Sequence, residues 1–278
     1  MQIFKSQIEL KKHLLTLINE NTVGFVPTMG ALHKGHLELI KASKKACNIT
    51  ICSIFVNPTQ FNNINDLKNY PNTLKDDLES LKSLNCDIVY TPSVSDLYIK
   101  DEKAKEFHFG TIASEMEGKF RPGHFNGMAT IVEKFFKIIS PTKAFFGQKD
   151  LQQLQIVKEL VKKMSSDIEI ISVQTSRDVN GLALSSRNKL LSNNAKQQAA
   201  LLYKCLNYCK INKEKGVTEL KKHTLNSFNN HPEFELEYVE FVALKDMLPI
   251  KKWENENENA ICIAAYIEGV RLIDNIIL

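Results

Sequence analysis

Two histidines and two glycines at one strand-to-helix turn carry the first chemistry in this chain. Pro27-Thr28-Met29-Gly30-Ala31-Leu32-His33-Lys34-Gly35-His36 follows the apolar run Val23-Gly24-Phe25-Val26 and leads into residues of helical periodicity. Gly30 and Gly35 permit close backbone approach to a ligand, and the N–H groups of a helix start converge on an anion. His33 and His36 frame that start. The positive end of the helix dipole is expected to lower their pKa values, leaving neutral imidazoles that donate N–H bonds to phosphoryl oxygens. A zinc site fits less well, because the i, i+3 spacing has no glutamate between the histidines and no third ligand nearby. Two polar residues capping a helix remain the plain alternative.

The turn needs a sheet to hold it, and the surrounding pattern predicts one. Ser6-Gln7-Ile8-Glu9 reads as a capping box opening a helix, with Leu10, Leu14, Leu15 and Ile18 inward at helical spacing. Val23–Val26 is a short buried strand stopped by Pro27, followed by a helix from about Gly35 to Cys47 and a strand from Ile49 to Val56. Thr73–Leu84 is expected to be helical with Leu74, Leu78 and Leu81 inward, and Asp87–Tyr90 to be a strand. A helix at Met128–Ile139, a strand at Lys143–Phe146, a helix at Leu151–Met164 and a strand at Ile168–Val173 complete the run. Continuously apolar strands alternating with helices indicate a parallel sheet covered on both faces. The expected class is therefore α/β, a doubly wound parallel sheet over residues 1–175, with ligands beyond the carboxyl ends of its strands.

The pattern changes near Ser176. Helical stretches at Asn194–Lys210 and Val217–Phe228 precede an alternating strand at Glu235–Ala243 and two more at Ile261–Ile267 and Arg271–Ile277. Residues 176–278 read as a smaller α+β C-terminal domain. Lys251 to Asn259, including Asn255, Glu256 and Asn257, is a polar turn without evident chemistry.

Composition sets wide bounds. The 278 residues are 43% apolar and 24% charged with a net charge of +4, the balance of a soluble globular protein that has no need of a nucleic-acid or membrane partner. The opening Met1-Gln2-Ile3-Phe4-Lys5-Ser6 has no apolar core behind it, and no uncharged run reaches the roughly 18 residues of a spanning helix. Cys47, Cys52, Cys86, Cys205, Cys209 and Cys262 form no Cys-x-x-Cys pair and mostly sit in apolar surroundings. A cytoplasmic protein with reduced cysteines is expected.

A His-x-Gly-His at a strand-to-helix turn resembles the signature of nucleotidyltransferases and class I aminoacyl-tRNA synthetases, which promote in-line attack on the α-phosphate of ATP. Further blocks narrow the resemblance. They are Ser53 to Phe61 with Asn57 and Gln60, Tyr70 to Leu78, Glu117 to Gly127, Phe146 to Gln153, Gly181 to Asn188 and Arg271 to Asn275. In this order, over almost the whole chain, they are similar to the pantothenate synthetase family.

That resemblance implies an ATP-dependent ligase that condenses pantoate with β-alanine by way of a pantoyl-adenylate. It also implies a Rossmann-like nucleotide-binding domain over residues 1–175, a smaller C-terminal domain closing over it, a homodimer, and magnesium as cofactor. The matching positions imply ATP contacts at Met29, Gly30, Ala31, Leu32, His33, Lys34, Gly35, His36, Gly147, Gln148, Lys149 and Asp150. Ser176, Leu184, Ser185, Ser186 and Arg187 join them. Gln60 and Gln153 match pantoate-binding positions, Gln60 also the β-alanine position, and Asp77 the carboxylate associated with magnesium. His33, His36, Lys149 and Arg187 take the catalytic roles, His36 at the position described as proton donor.

The chemistry supports the assignment separately. Pantoate's carboxylate is already ionised, so the first step needs no general base; it needs two anions aligned and the charge growing on the α-phosphate neutralised. Two imidazole donors, a lysine, an arginine and a magnesium ion suit that task.

Each fragment also has a plain counterpart. Lys149-Asp150 could be a surface pair before a helix, Ser185-Ser186-Arg187-Asn188 a solvated turn, Asp76-Asp77 a wet helix face, and Arg121-Pro122-Gly123-His124 a loop. Lys163-Met164-Ser165-Ser166 is similar to the lysine-rich loop of class I synthetases but lacks its second lysine and reads as a helix end. Relative to the family, Gln148 stands in place of a glutamate, Asn180 of an aspartate, Leu184 of a methionine and Val270 of a threonine. The rival functions are a plain adenylyltransferase, a non-catalytic nucleotide sensor and an RNA-binding protein. The last lacks a basic cluster with interleaved aromatics.

Overall fold

A computed structural model describes residues 1–17, 21–61, 64–254 and 258–278. Ile18, expected inward on the first helix, and Asn255, Glu256 and Asn257 of the polar turn lie outside the described residues. Contacts divide the chain into two units. The first comprises residues 1–109, 120–147 and 153–173; the second comprises 110–119, 148–152 and 174–278, so it includes two short segments from within residues 1–175.

In chain order the first half forms β1 (Gln2–Phe4), α1 (Gln7–Leu15), β2 (Val23–Thr28), α2 (Lys34–Ala46), β3 (Ile49–Ile54), α3 (Ile64–Lys68) and α4 (Leu74–Ser83). It continues with β4 (Ile88–Tyr90), α5 (Val94–Leu97), α6 (Glu117–Phe120), α7 (His124–Ile139), β5 (Lys143–Gly147), α8 (Leu151–Lys163) and β6 (Glu169–Val173). The strands make one parallel sheet in the order β1-β4-β3-β2-β5-β6. Strand order reverses between β2 and β5, and at such a switch point diverging loops leave a crevice at the carboxyl ends.

Alternate residues face opposite sides of each strand, and both sides are covered. Val26, Cys52, Val89 and Phe145 pack with Leu39 and Ile40 of α2 and Leu81 of α4. Phe25 and Tyr90 meet the ring of Phe135 on α7 edge-on at 5.6 and 6.0 Å. Each such fully buried side chain contributes roughly 1.5–3 kcal/mol.

Several expectations needed correction. Ser6 caps α1 by accepting from Ile8 N, the second helical N–H, rather than from the Glu9 N that a capping box would use. Leu15, expected inward, is 74% exposed at the last turn of α1, and Leu74 is exposed in the first turn of α4. The strand at Val23 runs through Pro27 to Thr28. β5 pairs only with Gly24 and Phe25, so the proline's missing donor lies beyond that ladder. The edge strand β1 has no separate signal in the sequence; it is three residues long and only partly buried.

The second unit is built on an antiparallel sheet of β7 (Phe234–Ala243), β8 (Asn259–Ile267) and β9 (Val270–Ile277), with α9 (Asn193–Gln198), α10 (Leu201–Ile211) and α11 (Val217–Asn229). Leu202 and Leu206 of α10 and Leu220 and Phe228 of α11 share a core with Phe241, Ile261, Ile263 and Leu272. The single helix expected from Asn194 to Lys210 is two, because i→i+3 bonds at Ala200 and Leu202 tighten the backbone between them. Glu268 and Gly269, with φ of 50° and 73°, form the two-residue turn joining β8 to β9.

All six cysteines are free thiols, and burial pushes Cys86 up to about 12 and Cys205 to about 11. No helix among the described residues is long and apolar enough to cross a membrane.

Candidate active site

In the first unit the turn after β2 is shaped by its own backbone. Gly30 and Ala31 take left-handed φ values of 79° and 49°. Such a backbone turns its N–H groups inward, and the Asp77 carboxylate collects them: Oδ2 accepts from Ala31 N at 2.9 Å and Oδ1 from Leu32 N at 2.7 Å. Thr73 Oγ1 donates to Oδ1 at 3.2 Å, and Asp77 is only 2% exposed. A Cβ at Gly30 would stand 3.1 Å from Asp77 Oδ2.

These bonds bear on the magnesium expectation for Asp77. Both of its oxygens are engaged by backbone and hydroxyl donors, and among the described residues no group of three His, Cys, Asp or Glu side chains could hold a metal. The residues present do not fit a protein-built magnesium cage. Asp77 is buried rather than part of a wet helix face, and it clamps the Ala31–Leu32 turn.

Among the described residues a reciprocal capping box lies at the histidines. His33 is the N-cap of α2; its side chain accepts from the backbone N–H of the third helical residue, His36, and its Nδ1 from Gly35 N at 3.1 Å, while His36 Nδ1 accepts from His33 N at 3.3 Å. The two rings lie 4.0 Å apart at 37°. The reciprocal bonds settle the tautomer. A nitrogen that accepts carries no proton, so in both neutral rings the proton resides on Nε2. Each ring thus keeps an Nε2–H besides its cap bond, at the N-terminus of the helix that follows β2, a strand at the switch point of the sheet.

Gln60, in a 3-10 turn at Pro58–Gln60 after β3, is held at both ends. His124 Nδ1, at the start of α7, bonds the Gln60 carbonyl at 2.9 Å, and Arg121 lies 3.1 Å from the other ring nitrogen. Asn57 Nδ2 donates to Gln60 Oε1 at 3.2 Å and to Gly127 O at 3.1 Å. Tyr98 Oη donates to Asn57 Oδ1 at 2.7 Å. Gln60 Nε2 is directed to Met29 Sδ at 3.0 Å, so the β2 and β3 loops meet through these two side chains. Gly147 ends β5 with nothing within 4 Å of where a Cβ would stand, and Gln153 is half-buried in the first turns of α8.

Gly127 allows α7 to lie against the Gln60 turn. A Cβ there would fall 2.1 Å from Thr59 O and 2.8 Å from Gln60 Cα, contacts with backbone that cannot swing aside. Gly127→Ala is expected to cost on the order of 1–3 kcal/mol. Thermal unfolding should register this as a fall of roughly 3–10 °C, and an unchanged midpoint would show that the turn yields freely.

In the second unit Gln148, Lys149 and Asp150 form a 3-10 turn. Lys149 Nζ is 3.9 Å from Asp150 Oδ1, and the lysine is the more buried of the two. Ser176 and Leu184, separated in the sequence, are brought together: Leu184 N donates to Ser176 O at 2.9 Å and Arg177 bridges Ala183. Asp178 Oδ1 accepts from Asn180 N and Leu182 N to close this hairpin, so an aspartate does stand in the turn where Asn180 itself is exposed. Ser185 Oγ caps a 3-10 turn over Ser186–Leu190 by accepting from Arg187 N at 3.3 Å, and Ser186 is buried, which sets aside a merely solvated turn.

The same unit holds ionic groups to which the motif reading assigned no role, although Glu117, Arg271 and Asp274 lie in blocks of the resemblance. Arg271 bonds both oxygens of Glu117, at 2.9 and 2.7 Å, and reaches Glu237, which a β-bulge between Leu236 and Tyr238 turns toward it. Burial opposes the guanidinium charge, but the bonds to Glu117 and Glu237 carry its pKa upward. Tyr238 donates to Glu117 at 2.8 Å, and burial followed by that carboxylate pushes its phenol well up. Arg177 and Asp274 form a bidentate pair, with the guanidinium 3.8 Å over the Tyr203 ring. Only their partners identify these residues, since lone charged side chains in strands carry no pattern.

With this geometry in place, comparison with known proteins is decisive. The family model described as pantoate-beta-alanine ligase matches residues 2–277. This chain belongs to the pantoate–β-alanine ligase family. Pantothenate synthetase from Azobacteroides pseudotrichonymphae genomovar. CFP2 is 46% identical over 99% of both chains, and that from Flavobacterium psychrophilum is 43% identical over 100% of both. Pantothenate synthetase from Thermus thermophilus superposes with a TM-score of 0.93 at 33% identity, covering 99% of each chain. Pantoate-beta-alanine ligase from Francisella tularensis, described as complexed with beta-gamma ATP and β-alanine, gives a TM-score of 0.83 at 38% identity, covering 100% of this chain and 97% of that one. The expected α/β class stands: a parallel six-stranded sheet with helices and a smaller antiparallel sheet.

Proposed function

We propose that this chain is an ATP-dependent ligase that joins pantoate to β-alanine through a pantoyl-adenylate. The observation that carries the reading is the histidine capping box, which fixes two Nε2–H donors at an anion-attracting helix N-terminus. Family membership and the ATP and β-alanine named for the Francisella relative support the substrates.

In the first step a pantoate carboxylate oxygen attacks the α-phosphorus, the bond to the bridging oxygen breaks, and pyrophosphate leaves. The attacking group is already an anion, so no proton need be removed. What limits the step is charge gathering on the α-phosphate oxygens. His33 and His36 donate to those oxygens, and Lys149 and Arg187 supply positive charge. The N–H groups from Gly30 to His36 and the segments Gly147–Asp150, Ser176 and Leu184–Arg187 hold the nucleotide. The donor end of Gln60, with Gln153, binds pantoate. In the second step the neutral amine of β-alanine, held near Gln60, attacks the acyl carbon, AMP leaves with both bonding electrons of the broken C–O bond, and the extra proton on the new amide nitrogen passes to water. Magnesium expected with ATP would be carried by the nucleotide's own phosphates, and no step is assigned to it. Free, buried thiols of raised pKa fit a reducing cytoplasm. A homodimer is expected from the family resemblance, and light scattering of the purified chain would test it.

An omission assay tests the reaction. Pantoate and ATP alone should release pyrophosphate in a stoichiometric burst, and AMP should appear on adding β-alanine. AMP retained in a stable nucleotide-bearing product would make the protein an adenylyltransferase instead.

A further inference from the structure

The last strand of the second unit carries two adjacent polar residues, Asp274 and Asn275, each only 3% exposed. Their side chains serve different segments. Asn275 Nδ2 donates to Gln148 O at 2.9 Å and to Lys149 O at 2.7 Å. One side-chain amide thus holds two successive carbonyls of the turn that presents Lys149. Asp274 receives Arg177 through both carboxylate oxygens, and Arg177 also donates to Gly181 O at 3.1 Å and stacks on Tyr203. Arg177 and Gly181 belong to the hairpin that pairs Ser176 with Leu184 and leads into Ser185–Arg187. Gly181 is itself fixed: its φ is 96°, and a Cβ there would stand 2.5 Å from the Tyr203 ring. Burial pushes the Asp274 carboxyl above its ordinary range against the pull of Arg177 and, further down, of Lys149, so the Lys149 ammonium lies within electrostatic reach.

We infer that Asp274 and Asn275 are positioning residues for the nucleotide site, a strut on β9 that fixes the Lys149 turn through Asn275 and the Ser176–Leu184 hairpin through Asp274. Neither touches substrate on this account. They act by holding a lysine and an arginine from two distant stretches of sequence in one rigid arrangement, since charge stabilisation falls steeply when a donor is misplaced by about 1 Å. This rests on the roles proposed for Lys149 and Arg187.

A double-mutant cycle on pyrophosphate release from pantoate and ATP tests it, using Lys149→Ala, Asn275→Ala and the pair. Lys149→Ala should lose about a thousandfold in kcat/KM. Asn275→Ala should lose about ten- to a hundredfold. The double variant should be within about threefold of Lys149→Ala, because a positioning residue has nothing left to position. A general loosening of the unit would instead multiply the two losses. Asp274→Asn, which keeps the side-chain shape, runs the same cycle against Arg187→Ala. Coupling in either cycle supports the strut. Multiplying losses in both, or loss of folding in both Asp274→Asn and Asn275→Ala, would overturn it. Full activity of Lys149→Ala and Arg187→Ala would instead sink the functional reading on which the strut depends.

Discussion

His36→Ala is expected to slow pyrophosphate release from pantoate and ATP about a thousandfold, a loss of ~3–4 kcal/mol in transition-state stabilisation. The side chain has two jobs in the structure, and they can be separated. Its Nδ1 accepts from His33 N and so completes the cap of α2, while its Nε2–H is the donor proposed to meet the α-phosphate. Losing the cap alone costs about 0.5–2 kcal/mol of stability, visible in unfolding and indifferent to substrate. His36→Gln distinguishes the two. Glutamine at the third helical position is the usual partner in a capping box and restores the bond to His33 N. It does not return an imidazole Nε2–H at the same place. Unfolding of His36→Gln should therefore approach the wild type while its rate stays close to that of His36→Ala. A His36→Gln variant with wild-type turnover would show that the histidine matters only as a cap.

The contrast between the two helix starts shows what a sequence displays and what it hides. Ser6 and Glu9 have the residue types of the capping box, yet the serine accepts from Ile8 N instead of closing the pair with Glu9. His33 and His36 are not the usual types, yet they form the reciprocal pair. Imidazole Nδ1 is a sound acceptor at that distance, but nothing in the order of residues says which nitrogen will face the backbone. The sheet was easier to read. Apolar strands alternating with helices identified every strand of the parallel sheet except β1, whose three residues carry no period long enough to see. Helix ends misled where an apolar residue, such as Leu15, overhangs the core. Asp77 was legible as a site residue, but its two backbone bonds were not, because a carboxylate clamping N–H groups and a carboxylate holding a cation look alike in one dimension. Tyr98, Arg177, Asp274 and Asn275 act through partners 41 to 127 positions away. Such long-range pairings leave no local trace.

Gln60→Glu should impair the enzyme more than Gln60→Ala, and the reason lies in which end of the amide faces the substrate. Burial pushes the Tyr98 phenol up, which keeps its hydroxyl protonated, and that hydroxyl donates to Asn57 Oδ1. With its oxygen engaged, Asn57 turns Nδ2 toward Gly127 O and Gln60 Oε1. The Gln60 oxygen is consumed in turn, so its Nε2–H groups point toward Met29 and the rim. A row of buried dipoles, with Asn57 1% and Gln60 9% exposed, thus commits Gln60 to donate, which suits the carboxylate and hydroxyl oxygens of pantoate. Glutamate keeps the acceptor that Asn57 needs and replaces the outward donor with a carboxylate oxygen facing another anion. Alanine removes only the hydrogen bond, a loss of about 1.5–3 kcal/mol for a charged partner, or roughly ten- to a hundredfold in the KM for pantoate. Glutamate adds repulsion and should raise that KM at least tenfold further, with the KM for ATP moving less than about threefold in both variants. Equal KM values for pantoate in the two variants, or parallel rises for ATP, would mean that Gln60 does not present its donor end to pantoate.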